Sequence, residues 1–342
     1  MRGLTTGPVG DDEALRLLKP ALEAGPALLA VSGGPDSTAL MGLAAAVRPS
    51  CDASGLIAVT VDHGLRAEAR AEAEATGALA RRLGFEHVIL SWQGAKPATG
   101  LQEAARQARY GLMAEFAATR GISRILLAHT LDDQAETVLM RLIAGSGIRG
   151  LAGMRSVSER GALSLSRPFL SVRKARLVAT CMARGWPFAT DPSNQNAAFL
   201  RPRLRDLLPL LAAEGLTAER LAVLARRAGE ADQLIEAVTR RALAASDAAL
   251  GGRKGATSAL HAPTLLDHGR EQAVRMLGYI IGDQHGHADA PVPLDKLESL
   301  VERLMQARAT GARCVATLAG TKVVLDGDVV RLSPAPPRRK LS

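Results

Sequence analysis

Six residues, Ser32-Gly33-Gly34-Pro35-Asp36-Ser37, join an apolar run at Ala27–Val31 to a stretch of helical character. Adjacent glycines let a backbone approach an anion with no Cβ in the way, and a loop that opens a helix leaves several N–H groups unpaired. Ser32 and Ser37 add hydroxyls, and Pro35 stiffens the loop while giving up one donor. The helix end contributes about half a positive charge. Together these make an anion cradle. The loop carries neither a Lys after a GxxxxG spacing nor a GxGxxG, so it matches neither of the two common nucleotide loops. Asp36 is the oddity. A carboxylate beside phosphate repels it unless Mg²⁺ lies between or the group handles a proton; the plainer reading is an Asp capping its own helix.

A second group of reactive side chains is His129, Asp132, Asp133 and Glu136. Asp133 and Glu136 are three residues apart and share one helix face. Acidic residues are stabilised in any first helical turn. Three carboxylates and a histidine at the end of a strand also make a site for Mg²⁺ or an ammonium group, with His129 either orienting one of them or only starting the helix. Arg106 and Arg109 repeat the three-residue spacing with Tyr110 beside them, for which a solvated helix face is the plain alternative. Asp62-His63 closes a further apolar run.

These groups need a frame that gathers loop ends. Ala27–Val31, Leu56–Val61, His87–Leu90 and Ile125–Ala128 are continuous apolar runs, as expected of strands buried on both faces of a parallel sheet. Helical patterns alternate with them at about 37–47, 66–83, 101–120 and 131–143. Strand–helix alternation predicts right-handed crossovers and a doubly wound α/β sheet, in which ligands bind beyond the carboxyl ends of the strands. After about residue 210 the pattern becomes helical (217–246, 271–281 and 293–308) and ends in short strands over 314–332 turned at Asp326-Gly327. The expected organisation is a catalytic domain over 1–212, a mostly helical domain with a terminal hairpin over 213–333, and a mobile basic tail over 334–342.

Composition agrees with a chain of this kind. The 342 residues are 47% apolar and 23% charged, the balance of a globular protein with a real core. Aromatics are only 3%, which argues against a single-strand binder that stacks base after base. The net charge of +9 is compatible with a polyanion partner. Three widely spaced cysteines, Cys51, Cys181 and Cys314, form no CxxC, so a zinc ribbon, a cluster on paired cysteines and a disulfide framework are not expected. The N-terminus turns acidic where a signal peptide needs an apolar stretch, and no run of eighteen apolar residues occurs; a cytoplasmic location without membrane contact is the expectation.

SGGPDS after an N-terminal strand resembles the pyrophosphate loop (PP-loop) of the N-type ATP pyrophosphatases. Four further stretches narrow the resemblance: Val61–Arg66, Gln102–Tyr110, Ala128–Met154 and Asp191–Asn194 with Phe199–Arg205. In this order they resemble the tRNA(Ile)-lysidine synthetase family over roughly residues 25–210. The resemblance implies a ligase that uses ATP and Mg²⁺ to adenylate the C2 oxygen of the wobble cytidine in a minor isoleucine tRNA with a CAU anticodon. The ε-amine of L-lysine then attacks C2 and expels AMP. It further implies that Ser32–Ser37, Asp62 and His63 bind ATP, and that Asp36 lies near the α-phosphate and metal. Arg109 and Arg201 would reach the α-phosphate, while His129, Asp132, Asp133 and Glu136 would receive the lysine. The C-terminal helices, with Arg226, Arg227, Arg240 and Arg241, would meet tRNA phosphates. The chain departs from the family pattern at Ala144, Pro202 and Phe199. A related tRNA thiolase and a non-catalytic tRNA-binding protein on the same fold are the alternatives. The oligomeric state is not set by the sequence, and a homodimer is compatible with it.

Overall fold

The four apolar runs form four adjacent strands of a six-stranded sheet. The computed structural model describes residues 7–51, 53–65, 68–94, 96–97, 99–189, 200–249, 258–284 and 292–336. The stretch 190–199, Arg66 and the tail from 337 onward lie outside the described residues, so the DPSN motif and Phe199 are not placed.

After α1 (Asp11–Leu22), strand β1 (Ala27–Ala30) leads into α2 (Pro35–Val47), β2 (Leu56–Asp62), α3 (Ala69–Arg82) and β3 (Glu86–Ser91). Then come α4 (Leu101–Thr119), β4 (Arg124–Leu126), α5 (Leu131–Ile143) and the short α6 (Ile148–Leu151). A hairpin, β5 (Val157–Arg160) and β6 (Leu163–Ser166), precedes α7 (Lys174–Ala183) and α8 (Leu200–Ala213). The sheet order is β3-β2-β1-β4-β6-β5. All neighbours run parallel except the edge strand β5, which is antiparallel to β6.

β1 shows why a continuous apolar run is needed here. Ala27, Leu29 and Val31 face one core with Leu18, Leu22, Leu40, Leu43 and Leu177. Leu28 and Ala30 face the opposite core with Tyr110, Met113 and Ala117 of α4. Leu28 and Leu29 are both 0% exposed, each burial stabilising the fold by about 1.5–3 kcal/mol. The result fixes the carboxyl ends of β1, β2 and β4 side by side.

The chain divides into two compact units, 1–229 and 230–342, within the long helix α9 (Ala218–Ala249). The second unit contains β7 (Ser258–His261), α10 (Ala262–Leu266), α11 (Arg270–Gln284), α12 (Leu294–Ala309), β8 (Cys314–Leu318), β9 (Thr321–Asp326) and β10 (Val329–Pro334). The hairpin turned at Gly327 (φ +55°) is part of a four-stranded antiparallel sheet, order β7-β10-β9-β8. Its inner face packs on α11 and α12 through Leu277, Ile281, Leu300, Val323 and Val330. Within this unit Arg275 donates to Asp232 at 2.6 Å, and both side chains are almost fully buried. Such a pair contributes little net stability, but removing one partner would strand a buried charge.

Candidate active site

The glycine loop closes on itself through bonds between its own residues, with Gly33 buried, Gly34 half-buried and Ser32 exposed. Gly33 adopts φ +84°, a conformation that L side chains rarely take, and an added Cβ would lie 2.8 Å from Thr76 Oγ1. Gly34 is the N-cap of α2 and Pro35 its first residue, the position where a missing N–H costs nothing. Ser32 N–H donates to Ser37 Oγ at 3.0 Å, and the Ser37 hydroxyl donates to the Gly34 carbonyl at 3.1 Å. A third contact, between the Ser32 and Ser37 hydroxyls at 3.1 Å, is also internal to the loop, which thus uses the Ser37 hydroxyl to hold its own shape. Ala189 N–H donates to the Gly33 carbonyl at 2.9 Å, tying the segment after α7 to the turn. The Cys181 thiol donates to the Pro35 carbonyl at 3.4 Å; burial first, then Asp36, pushes this thiol up to about 12, which leaves it protonated and inert.

Asp36 does not cap its own helix: α2 has no side-chain cap. Its Oδ2 accepts from Lys174 Nζ at 2.8 Å, while Oδ1 is buried without a partner. Burial raises its pKa above the ordinary carboxylate value; Lys174 opposes the shift, and Asp133 and Asp132 add to it. The mutual influence places the three carboxylates in one electrostatic neighbourhood.

Lys174 also closes the distance between the loop and the acidic helix. While its ammonium holds Asp36, its backbone N–H donates to Asp132 Oδ2 at 2.7 Å. Arg173 pairs with Asp132 Oδ1 at 3.1 Å. Asp133 forms a capping box, its Oδ2 accepting from both the N–H and the hydroxyl of Thr130 at 2.8 Å. Glu136 is 1% exposed; Oε1 accepts from Arg205 Nε at 2.8 Å, and Oε2 has no partner. A buried carboxylate already paired with an exposed guanidinium is suited to exchanging that cation for another. Arg201 stands on the exposed side of α8, and it is Arg205, four residues on, that meets the acidic group.

Beyond β1 and β2 a cavity of about 370 Å³ is lined by Ser32, Val61, Asp62, His63, Glu72 and Arg109, among others. Asp62 Oδ1 accepts from Gly64 N–H at 2.9 Å, shaping the turn at the cavity mouth. His63 stands edge-on to Trp92, ring centres 6.0 Å apart, with Nδ1 buried and unpartnered. Burial and the nearby Arg109 lower its pKa. Burial likewise lowers that of Arg109, which stays charged. On the far side of Arg109, burial holds His129 down to about 4, a neutral ring at physiological pH, with Asp133 opposing and Arg167 adding to the shift.

A family model described as a PP-loop domain matches residues 11–211. The tRNA(Ile)-lysidine synthase of Methylobacterium nodulans is 52% identical over 317 residues, covering 92% of both chains. That of Methylobacterium sp. strain 4-46 is 50% identical over 97% of each chain, and that of Rhodopseudomonas palustris 48% identical over 99% of each. The chain belongs to the tRNA(Ile)-lysidine synthase family. Among solved structures, the U34-tRNA thiolase NcsA from Methanococcus maripaludis with its [4Fe-4S] cluster shares the fold at a TM-score of 0.55 and 17% identity, covering 63% of this chain and 78% of that one.

The family's α/β sheet with a PP-loop and a helical C-terminal part is thus as the sequence predicts. Three site contacts were not legible: Lys174, Arg173 and Arg205 meet carboxylates far away in the chain, and no local spacing announces them. Among the described residues no helix is long and apolar enough to cross a membrane, and no three His, Cys, Asp or Glu side chains converge as a metal site.

Proposed function

We propose that this protein uses ATP to join L-lysine to C2 of the wobble cytidine of a tRNA(Ile) with a CAU anticodon. In the first step the cytidine C2 oxygen attacks the α-phosphate, the α–β bond breaks and pyrophosphate leaves, giving an adenylated base. In the second, the lysine ε-amine attacks C2, the C2–O bond breaks, AMP leaves and one amine proton is lost. The observation that carries this reading is Lys174 joining the glycine loop to the acidic start of α5, which sets a phosphate cradle and cation-binding carboxylates within one residue's span.

In this reading the backbone of Gly33 and Gly34 and the hydroxyl of Ser32 hold the leaving phosphates, and the adenosine occupies the cavity lined by Asp62 and His63. Arg109 meets the charge that builds on the α-phosphate, with Arg201 or its neighbour Arg205 reaching in from α8. The carboxylates of Asp132, Asp133 and Glu136 take the lysine ammonium, Arg205 giving way at Glu136 Oε1. His129, neutral by burial and with a buried unpartnered Nδ1, lies in the electrostatic neighbourhood of Asp133. Mg²⁺ would be held by the unpartnered Oδ1 of Asp36 and would offset phosphate charge. The second unit, with Arg240 and Arg241 on α9, carries the rest of the tRNA.

Purified protein is expected to release AMP and pyrophosphate only when ATP, Mg²⁺, lysine and the tRNA are all present. Turnover without lysine, using ammonia or a thiol donor instead, would overturn the proposal.

A further inference from the structure

Six arginines of the first unit are neutralised by a carboxylate: Arg70 by Glu74, Arg120 by Glu86, Arg173 by Asp132 and Glu219, Arg176 by Glu13, Arg184 by Asp11 and Arg205 by Glu136. One group is not. The guanidinium of Arg160, at the end of edge strand β5, lies 4.4 Å from the centre of the Tyr110 ring, and that of Arg106 lies 5.3 Å from the same centre. Arg167, 8% exposed, donates through Nη1 to the Arg155 carbonyl and Ser158 Oγ, both at 2.9 Å, and its Nε is buried with no acceptor. Arg106 acts electrostatically on Arg109, Arg167 and His129 alike, so these groups share one neighbourhood. Among the described residues none of Arg106, Arg109, Arg160 and Arg167 is in an ion pair.

Gathering like charges on one tyrosine is unfavourable unless an anion joins them. Arg109 lines the nucleotide cavity, whereas Arg106, Arg160 and Arg167 do not, so the phosphates of ATP account for only one member of the group. The Tyr110 ring is 5% exposed and offers no face to a nucleobase, which leaves the exposed guanidiniums of Arg106 and Arg160 as the contact surface. Guanidinium forks match phosphate geometry and remain charged. We propose that Arg106 and Arg160, seated on Tyr110 with Arg167 beneath, bind a backbone phosphodiester of the tRNA next to the nucleotide being modified. The proposal rests on the reading under Proposed function, since it is the tRNA that supplies the phosphodiester. Being three residues from Arg109 on α4, Arg106 would hold the strand where the target base enters the cavity.

The test compares wild type with R160Q, R160K and R106Q/R160Q, all changed at exposed positions. Equilibrium binding of the unmodified tRNA(Ile) transcript is measured across a salt series, and binding of a non-hydrolysable ATP analogue is measured separately. The double variant is expected to bind tRNA about tenfold more weakly, with the slope of log K against log salt reduced by about one. R160K should fall between it and wild type, and ATP-analogue affinity should not move. Unchanged tRNA affinity, or an equal loss of ATP affinity, would overturn the proposal, the latter by assigning the arginines to the nucleotide. Failure of the underlying function would look different: wild-type protein would form no lysidine whatever these variants bind.

Discussion

Replacing Gly34 with alanine separates the phosphate cradle from the scaffold that carries it. Gly34 has φ −72° and ψ 164°, ordinary for any residue. An added Cβ would lie 3.7 Å from Ser32 Oγ, a normal contact. Alanine is a poorer N-cap than glycine by roughly 0.5–1 kcal/mol, and the stiffer unfolded chain returns about 0.4–1 kcal/mol. The G34A fold should therefore stay within about 1 kcal/mol of wild type. Binding should not. A methyl group standing over N–H donors at a helix start removes at least one hydrogen bond to a charged oxygen, worth about 1.5–3 kcal/mol, or about tenfold to a hundredfold in Kd. Calorimetry with a non-hydrolysable ATP analogue, alongside thermal unfolding, reads both quantities. G33A provides the opposite control: its φ of +84° costs about 1–2 kcal/mol, and its Cβ meets Thr76 Oγ1, which is tied to the Glu72 carbonyl at 2.8 Å. Its unfolding midpoint should drop by about 5 °C. Wild-type nucleotide affinity in a well-folded G34A protein would refute the backbone cradle.

Three other consequences follow from the same geometry. His129 is kept neutral in the fold down to about 4 but takes a proton at its ordinary 6.5 in the unfolded chain. Its contribution is thus complete above pH 6.5 and is lost as pH falls from 6.5 toward 4, up to about 3 kcal/mol; urea midpoints at pH 7.5 and 5 should differ less in H129Q than in wild type. R205A strands the buried Glu136 carboxylate and, discounted for the exposure of Arg205, should cost about 1 kcal/mol, with E136Q added to R205A restoring most of it in thermal unfolding. Serine at Cys51, Cys181 and Cys314 together should leave AMP release unchanged, because the Cys181 thiol is protonated and serine keeps its donor to Pro35; a dead triple variant would favour sulfur chemistry.

Much of this arrangement was legible in the chain because its signals are local. The runs that became β1, β2 and β4 are apolar on both faces, whereas β3, read as a strand of the same kind, lies at the sheet edge and is only half-buried; the SGGPDS turn carries its chemistry within six residues. The hairpin β5–β6 was not read: neither VSER nor LSLS holds a continuous apolar run, although Leu163 and Leu165 alternate with serines at the period of a half-buried strand. Helices α1 and α8 each contain an internal proline, Pro20 and Pro209, which argues against a helix in sequence yet is tolerated in these two. The site's cations were the least legible part. Lys174 reaches Asp36 across 138 positions and Arg205 reaches Glu136 across 69, separations at which only the folded sheet says who meets whom. Asp133 was read as a ligand for lysine; in the resting structure one of its oxygens caps α5, a role that residue spacing alone could equally have suggested.

The central claim is tested most directly by nucleoside mass spectrometry of a tRNA(Ile) transcript with a CAU anticodon, incubated with the protein, ATP, Mg²⁺ and isotopically labelled lysine. The account predicts that the wobble cytidine is converted to a nucleoside carrying the whole labelled lysine, in step with AMP release. An unmodified cytidine, or one carrying sulfur or ammonia nitrogen instead, would contradict it.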